Sequence, residues 1–253
     1  MIFKEYSLSP SPYLTAKDSD TFFGAEFEIE DILDNNHAGD FIGLTNDGSL
    51  RNNGVEYITS PLNLSDMVKM FDRLHETIEY GPNAFTDRTS IHVHVNCCNL
   101  YPQEVRNIVM LYALFEESFF NMVSPSRRNN IHCVALSETF LPSIYRHTCG
   151  MLVSKWHKYT ALNLKPISTQ GTMEFRHMHG HNDKALFTEW LTLISNLFKH
   201  GRTFKITSHT LEEKALEVMY TNLFGDTRLK DDWVNQRSLM GNQIIDVKLS
   251  TIS

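Results

Sequence analysis

FGAEFEIE, Phe23 to Glu30, and SIHVHVN, Ser90 to Asn96, are the two stretches on which the fold turns. In each, side chains alternate in character with a period of two, the spacing that sends successive residues to opposite faces of a strand. Ala25, Phe27 and Ile29 share one face of the first stretch, and Glu26, Glu28 and Glu30 share the other. In the second, Ile91, Val93 and Val95 lie opposite His92, His94 and Asn96. Two strands with one apolar face each need helices or another sheet to cover that face.

Working outward, the flanking segments supply the cover. Gly54 to Thr59 reads as a strand ending at Ser60-Pro61, after a turn signal at Asn46-Asp47-Gly48-Ser49. Leu64, Met67, Val68, Phe71, Leu74 and Ile78 recur at helical spacing, which predicts a helix from Leu64 to Tyr80 with Asn63 or Ser65 as its N-cap. Pro102, tolerated in a first turn, opens a long helix to about Val123. Ser124 to Asn130 reads as a loop, with a short helix to about Phe140. Lys158 to Lys165 and Thr172 to Met178 read as strands joined by a turn at Thr169-Gln170-Gly171. Helices are expected over Asp183 to Phe204 and Leu211 to Leu223, before a weakly patterned tail from Gly225. Adjacent strands with inserted helices predict an α+β fold with a mainly antiparallel sheet. No linker or repeat divides the chain, so residues 1–253 are expected to form one domain.

At 253 residues the chain can bury a large core. It has no apolar run near the ~20 residues of a membrane span, and Met1 to Pro12 lack a basic stretch followed by an apolar one, so a cytoplasmic location is expected. A net charge of -7 argues against non-specific nucleic-acid binding, although Arg127 and Arg128 are adjacent and could line a local basic groove. Cys97, Cys98, Cys133 and Cys149 show neither zinc-knuckle spacing nor a disulfide framework, and are read as reduced thiols, the adjacent Cys97 and Cys98 as buried ones.

The strands carry the chemistry. Glu26, Glu28, Glu56, His92, His94, Glu174 and Arg176 sit on strands whose opposite residues are apolar. Hard divalent cations take oxygen ligands, and manganese or zinc accepts an imidazole as well. Two ions held close together suit phosphoryl transfer, and a nearby arginine adds a planar cation fitted to phosphate or carboxylate. Each piece alone has a blander reading. A Glu-x-Glu pair is more often a solvated face, a His-x-His pair is as often structural as functional, and Glu-x-Arg is frequently a same-face ion pair. Their co-occurrence carries the argument. His177, His179 and His181 are read as an exposed polar turn.

The succession FGAEFEIE, GVEYITSP (Gly54 to Pro61), HVHVN (His92 to Asn96), SRRNNIHC (Ser126 to Cys133), KYTALNL (Lys158 to Leu164) and TMEFRHMHG (Thr172 to Gly180) resembles the amidoligase family. That family belongs to the carboxylate–amine ligases related to glutamine synthetase and glutamate–cysteine ligase. The resemblance runs from about residue 20 to 205, leaving a C-terminal extension of about 206–253 read as helical. It implies a curved sheet of the glutamine synthetase catalytic-domain type, with helices on the convex face, working on ATP with Mg²⁺ or Mn²⁺. It further implies that Glu26, His92 and Glu174 hold one metal ion while Glu28 and Glu56 hold a second. Arg176 would bind the transferring phosphoryl group and His94 a nucleotide phosphate. Arg128, Tyr159 and Asn163 would contact nucleotide or substrate. The motifs that grip ATP in the second half of glutamine synthetase have no clear counterpart here.

The expected reaction is ATP-dependent amide or peptide bond formation through an acyl phosphate, the partners being a carboxylate and an amine of unidentified structure (small molecule, peptide or protein). The compact size fits a gene of phage type. Two other classes compete: a non-catalytic protein that binds a nucleotide, metabolite or partner on the same fold, and a zinc hydrolase built on His92 and His94, which would act without ATP.

Overall fold

The computed structural model describes residues 21–34, 43–45, 48–138 and 148–251. Its centre is a six-stranded sheet in the order β3-β4-β1-β6-β8-β7, comprising β1 (Phe23–Ile29), β3 (Gly43–Thr45), β4 (Val55–Ile58), β6 (Ser90–Asn96), β7 (Leu162–Asn163) and β8 (Thr172–His179). Every neighbouring pair is antiparallel. A separate two-stranded ribbon pairs β2 (Ile32–Asp34) with β5 (Glu79–Tyr80). The helices are α1 (Leu64–Thr77), α2 (Pro102–Asn121), α3 (Cys149–Lys155), α4 (Lys184–Gly201), α5 (Glu213–Phe224), α6 (Trp233–Leu239) and α7 (Gly241–Thr251). The fold is thus mixed α and β around an antiparallel sheet. No helix among the described residues is long and apolar enough to cross a membrane.

The alternation in β1, β6 and β8 decides which face the helices cover. Phe27 of β1 meets Phe71 of α1 at 5.8 Å and Phe187 of α4 at 5.6 Å between ring centroids. Phe175 of β8 packs against Tyr112 and Phe119 of α2 and Trp190 of α4, all at 6.4 Å. Phe23, Phe27, Val93, Val95, Met173 and Phe175 are fully buried, or nearly so, beneath these helices. Burying side chains of this size contributes roughly 1.5–3 kcal/mol each, which makes this face the main source of stability. The other face presents Glu26, Glu28, Glu56, His92, His94, Glu174 and Arg176. Residues directly opposite in an antiparallel pair share a face, and the register pairs Glu28 with Glu56, Glu26 with His92 and His94 with Glu174.

The termini of the elements follow local chemistry. The Asn63 side chain accepts from the Asp66 N–H at 3.0 Å and caps α1, and Asp183 does the same for α4 through Leu186. α1 stops at Thr77, earlier than its apolar spacing predicts, because Ile78 turns extended and Glu79–Tyr80 pair with β2. Gly171 takes a φ of 74° in the turn before β8, a conformation that favours glycine. Gly180 lets the end of β8 close on Thr89, since a Cβ there would lie 2.2 Å from the Thr89 hydroxyl.

Some expectations need correcting. Lys158 to Lys165 yields only the two-residue β7, because His157 to Thr160 form a turn closed by the Thr160 N–H and hydroxyl on the His157 carbonyl. Ser124 to Asn130 contains a 3-10 turn, Pro125–Asn129. The C-terminal extension is helical, as expected, and its weakly patterned part from Gly225 contributes α6 and α7. The helix expected up to Phe140 appears as a single 3-10 turn, Leu136–Glu138, and its end lies outside the described residues. Asn46 and Asp47 of the expected turn also lie outside them.

Candidate active site

The polar face of the sheet borders a cavity of about 780 Å³, whose walls include Glu26, Glu28, Glu56, His92, Tyr159 and Arg176. Its side is closed by the chain from Ser126 to His132, which contributes Arg127, Asn129, Asn130, Ile131 and His132. That segment is fastened to the sheet edge. The Val134 N–H donates to the Tyr159 carbonyl at 2.8 Å, and the Ala161 N–H donates back to the Val134 carbonyl at 2.7 Å.

Beneath the cavity the polar side chains form a connected network. His92 Nδ1 lies 3.1 Å from Glu26 Oε2 and 3.5 Å from Glu174 Oε1. His92 Nε2 lies 2.9 Å from Ser90 Oγ, which donates to Glu28 Oε2 at 2.6 Å. His94 Nε2 sits 3.2 Å from Glu26 Oε1, while its Nδ1 is 2.9 Å from Thr172 Oγ1. Glu174 is gripped from two sides. Asn163 Nδ2 donates to Oε2 at 2.7 Å, and the Arg176 guanidinium pairs with Oε1. Arg176 Nε donates to the His132 carbonyl at 3.0 Å, which ties the cavity wall to β8.

Burial and charge act in opposite directions here. Burial alone pushes the Glu26 carboxyl up, but hydrogen bonds from His92 and His94, together with their charge, outweigh it and hold Glu26 well below the usual carboxylate range. Burial disfavours a charged His94, yet the bond to Glu26 and the charges of Glu26 and Glu174 raise its pKa above the ordinary value. The face is therefore organised around charge.

One oxygen each from Glu26 and Glu174 and one nitrogen from His94 all lie within 4.8 Å of one another, a spacing at which a single ion could be held. This triplet contains His94, whereas the family resemblance implies His92 beside Glu26 and Glu174. His92 instead bridges the Glu26 and Glu28 carboxylates through Ser90. Glu28 and Glu56 stand opposite each other on β1 and β4 and both line the cavity. Asn163 acts at one remove, by fixing Glu174. Arg128 stands apart from the cavity walls, with its guanidinium on Glu117 at 2.9 Å and over the Phe120 ring at 5.1 Å. Glu30, expected beside Glu26 and Glu28, lies just past β1, where it makes a bidentate pair with Arg88 at 2.9 Å and accepts from the Arg51 N–H and the Thr86 hydroxyl. It pins loops rather than joining the cluster.

The family model described as "Putative amidoligase enzyme" matches residues 15–198 of the 253. The chain belongs to the amidoligase family. Every side chain of the polar network falls within the matched segment, while α5, α6 and α7 lie beyond it. No curated protein matches the chain.

Several residues of the site lie where strand periodicity is silent or extends past the His92–Asn96 motif. Ser90 shares the parity of His92 and His94 and could have been found by extending that face by one step. Arg127 from the 3-10 turn and Arg88, Asp87 and His132 from loops line the cavity, where no periodicity singles them out. The expectation of an exposed His177–His181 turn is overturned. His177 is fully buried under α2 and α4, with Nε2 2.8 Å from the Tyr112 hydroxyl, and His181 is buried as well. The period of two explains it, since 177 shares a face with Phe175. The free cysteines are all buried, as expected for Cys97 and Cys98.

Proposed function

We propose that this chain is an ATP- and divalent-metal-dependent carboxylate–amine ligase that forms an amide or peptide bond. Membership of the amidoligase family supports ligase activity in general. The observation that carries the finer reading is the Glu26–His94–Glu174 cluster, with Glu26 shared between it and the wall of a cavity that Arg176 also lines.

The donor set fits the metal. Two carboxylates and one imidazole, without a cysteine, suit Mg²⁺ or Mn²⁺ better than a thiophilic ion. Glu26, His94 and Glu174 would hold one ion, and Glu28 with Glu56 would hold a second. Bound there, such ions would neutralise phosphate oxygens of ATP.

The chain's own residues supply position and charge. Arg176, fixed by Glu174 and the His132 carbonyl, offers its guanidinium to the phosphoryl group in flight. His92 steadies the two carboxylate groups by contacting Glu26 directly and Glu28 through Ser90. Tyr159, at the cavity wall, is placed to touch nucleotide or substrate. In the reaction, a substrate carboxylate oxygen bonds to the γ-phosphorus as ADP leaves, giving an acyl phosphate. An amine nitrogen then attacks the acyl carbon, phosphate departs, and the nitrogen loses its proton. No protein nucleophile takes part. Burial pushes the Cys133 thiol up to about 11, which leaves little thiolate for a covalent route.

The antiparallel sheet with acids on its polar face supports the glutamine synthetase type of architecture. α7 packs on α2 and α5 on α4, which supports reading the chain as one domain. A cytoplasmic location fits a reaction that consumes ATP.

Calorimetric titration of ATP with Mg²⁺ or Mn²⁺ tests the reading. Wild type is expected to bind only when metal is present, and Glu56→Ala to bind at least about tenfold more weakly. Absence of binding to wild type with either metal would remove the ligase reading and put the non-catalytic binder first.

A further inference from the structure

Arg127 is a buried cation with no carboxylate in contact. It is 3% exposed, yet among the described residues it forms no ion pair. Other arginines of the fold are neutralised at close range: Arg88 by Glu30, Arg128 by Glu117, Arg176 by Glu174 and Arg228 by Glu189. At hydrogen-bonding distance Arg127 has only carbonyls and a thiol, and the Glu28 carboxylate acts on it from beyond ion-pair distance. Its Nε donates to the His177 carbonyl at 3.1 Å and its Nη2 to the Arg176 carbonyl at 2.6 Å, while the Cys133 thiol hydrogen-bonds to it.

Taking a guanidinium out of water costs several kcal/mol unless a partner compensates, and neutral carbonyls recover only part of that. The nearby Arg176 adds repulsion, and burial pulls the Arg127 pKa down. Such a charge is hard to account for as packing alone. It borders two cavities, the site cavity of about 780 Å³ and a neighbour of about 420 Å³, which share Asp87, Ser126 and Arg127 as a common wall. The bond to the carbonyl of Arg176 holds the two arginines in fixed relation to each other.

We propose that Arg127, and not its neighbour Arg128, is the second guanidinium of the site, and that it binds an oxyanion of a reactant alongside Arg176. The inference rests on the ligase reading of the same cavity. The oxyanion has two sources in that reaction, a phosphate of the nucleotide or the carboxylate of the acid substrate. Both match the planar fork of a guanidinium.

Two probes separate the sources: tripolyphosphate with Mg²⁺, and glutarate without metal, each titrated into wild type, Arg127→Gln, Arg127→Lys and Arg128→Gln. Removing a charge-assisted hydrogen bond is expected to weaken the bound probe by about tenfold to a hundredfold in Arg127→Gln. Arg127→Lys should recover part of that loss, and Arg128→Gln should stay within about twofold of wild type. Loss confined to tripolyphosphate assigns the phosphate, and loss confined to glutarate assigns the carboxylate. If Arg127→Gln does not fold, the Arg127 Nε–H resonance in ¹⁵N-arginine-labelled wild type, assigned with Arg127→Lys, must shift on addition of one probe. Unchanged affinity in a folded Arg127→Gln, or an unmoved resonance, would reduce Arg127 to a clasp on β8 and overturn the proposal. Those results leave the metal-dependent ATP titration of Glu56→Ala untouched, so failure of this inference and failure of the ligase reading are separate outcomes.

Discussion

The two faces of β8 do opposite things, one fully buried under helices and the other only partly covered. Met173, Phe175 and His177 point under the helices, while Thr172, Glu174 and Arg176 share the polar face, where Arg176 lines the cavity. The histidines make the difference plain. His177 and His94 are both buried, but burial drives His177 down to about 3, whereas carboxylates around His94 raise it. One face is built to stay neutral and the other to hold charge. Depth alone does not set protonation; the partners do.

The largest expected effect breaks the neutral face. Phe175→Ala removes a ring that touches Tyr112, Phe119, Trp190 and Phe198, and should cost about 3–5 kcal/mol in urea unfolding. An acid titration probes the same face more gently. Burial holds His75 at about 4 and His177 and His181 at about 3. Between those values and the unfolded value of about 6.5, the unfolded chain binds protons that the native state refuses. Stability is therefore full above about pH 6.5 and falls as pH drops toward the native values, with a slope approaching about 4 kcal/mol per pH unit for three such groups. Urea midpoints at about pH 7, 6 and 5 measure it, and a flat profile would show that these rings are solvated.

Those histidines also show where sequence stops being legible. Period-two alternation located β1, β4, β6 and β8 and the charged face, and helical spacing located α1, α2 and α4. The same rule puts position 177 with Phe175, so the His177 error came from reading composition over parity. Other misses have a different origin. Arg127 and Arg128 occupy a 3-10 turn, where strand parity says nothing about which of the two faces the cavity. That His94 shares the 4.8 Å cluster with Glu26 and Glu174 depends on side-chain direction around Ser90 and Thr172, and spacing does not encode that. α6 and α7 are short, and α7 owes its place to packing on α2.

A smaller effect sharpens the border between the faces. Tyr112 donates to Glu116 at 2.8 Å and sits 2.8 Å from His177 Nε2. Tyr112→Phe leaves both groups short of a partner and should cost about 1–3 kcal/mol by thermal or urea unfolding. Metal binding should be unchanged, because the network lies on the neutral side. On the charged face, Glu56→Gln should abolish ATP turnover while the unfolding midpoint stays near that of wild type. Full turnover in that variant would withdraw Glu56 from the site.

The most direct test sets neighbours on β8 against each other. Mn²⁺ binding, followed by the loss of the free-ion paramagnetic resonance signal, should be weakened at least about tenfold by Glu174→Gln. It should be unaffected by Phe175→Leu one residue away. Equal Mn²⁺ affinity in wild type and Glu174→Gln, or no uptake by wild type, would contradict a charged face built around a metal site.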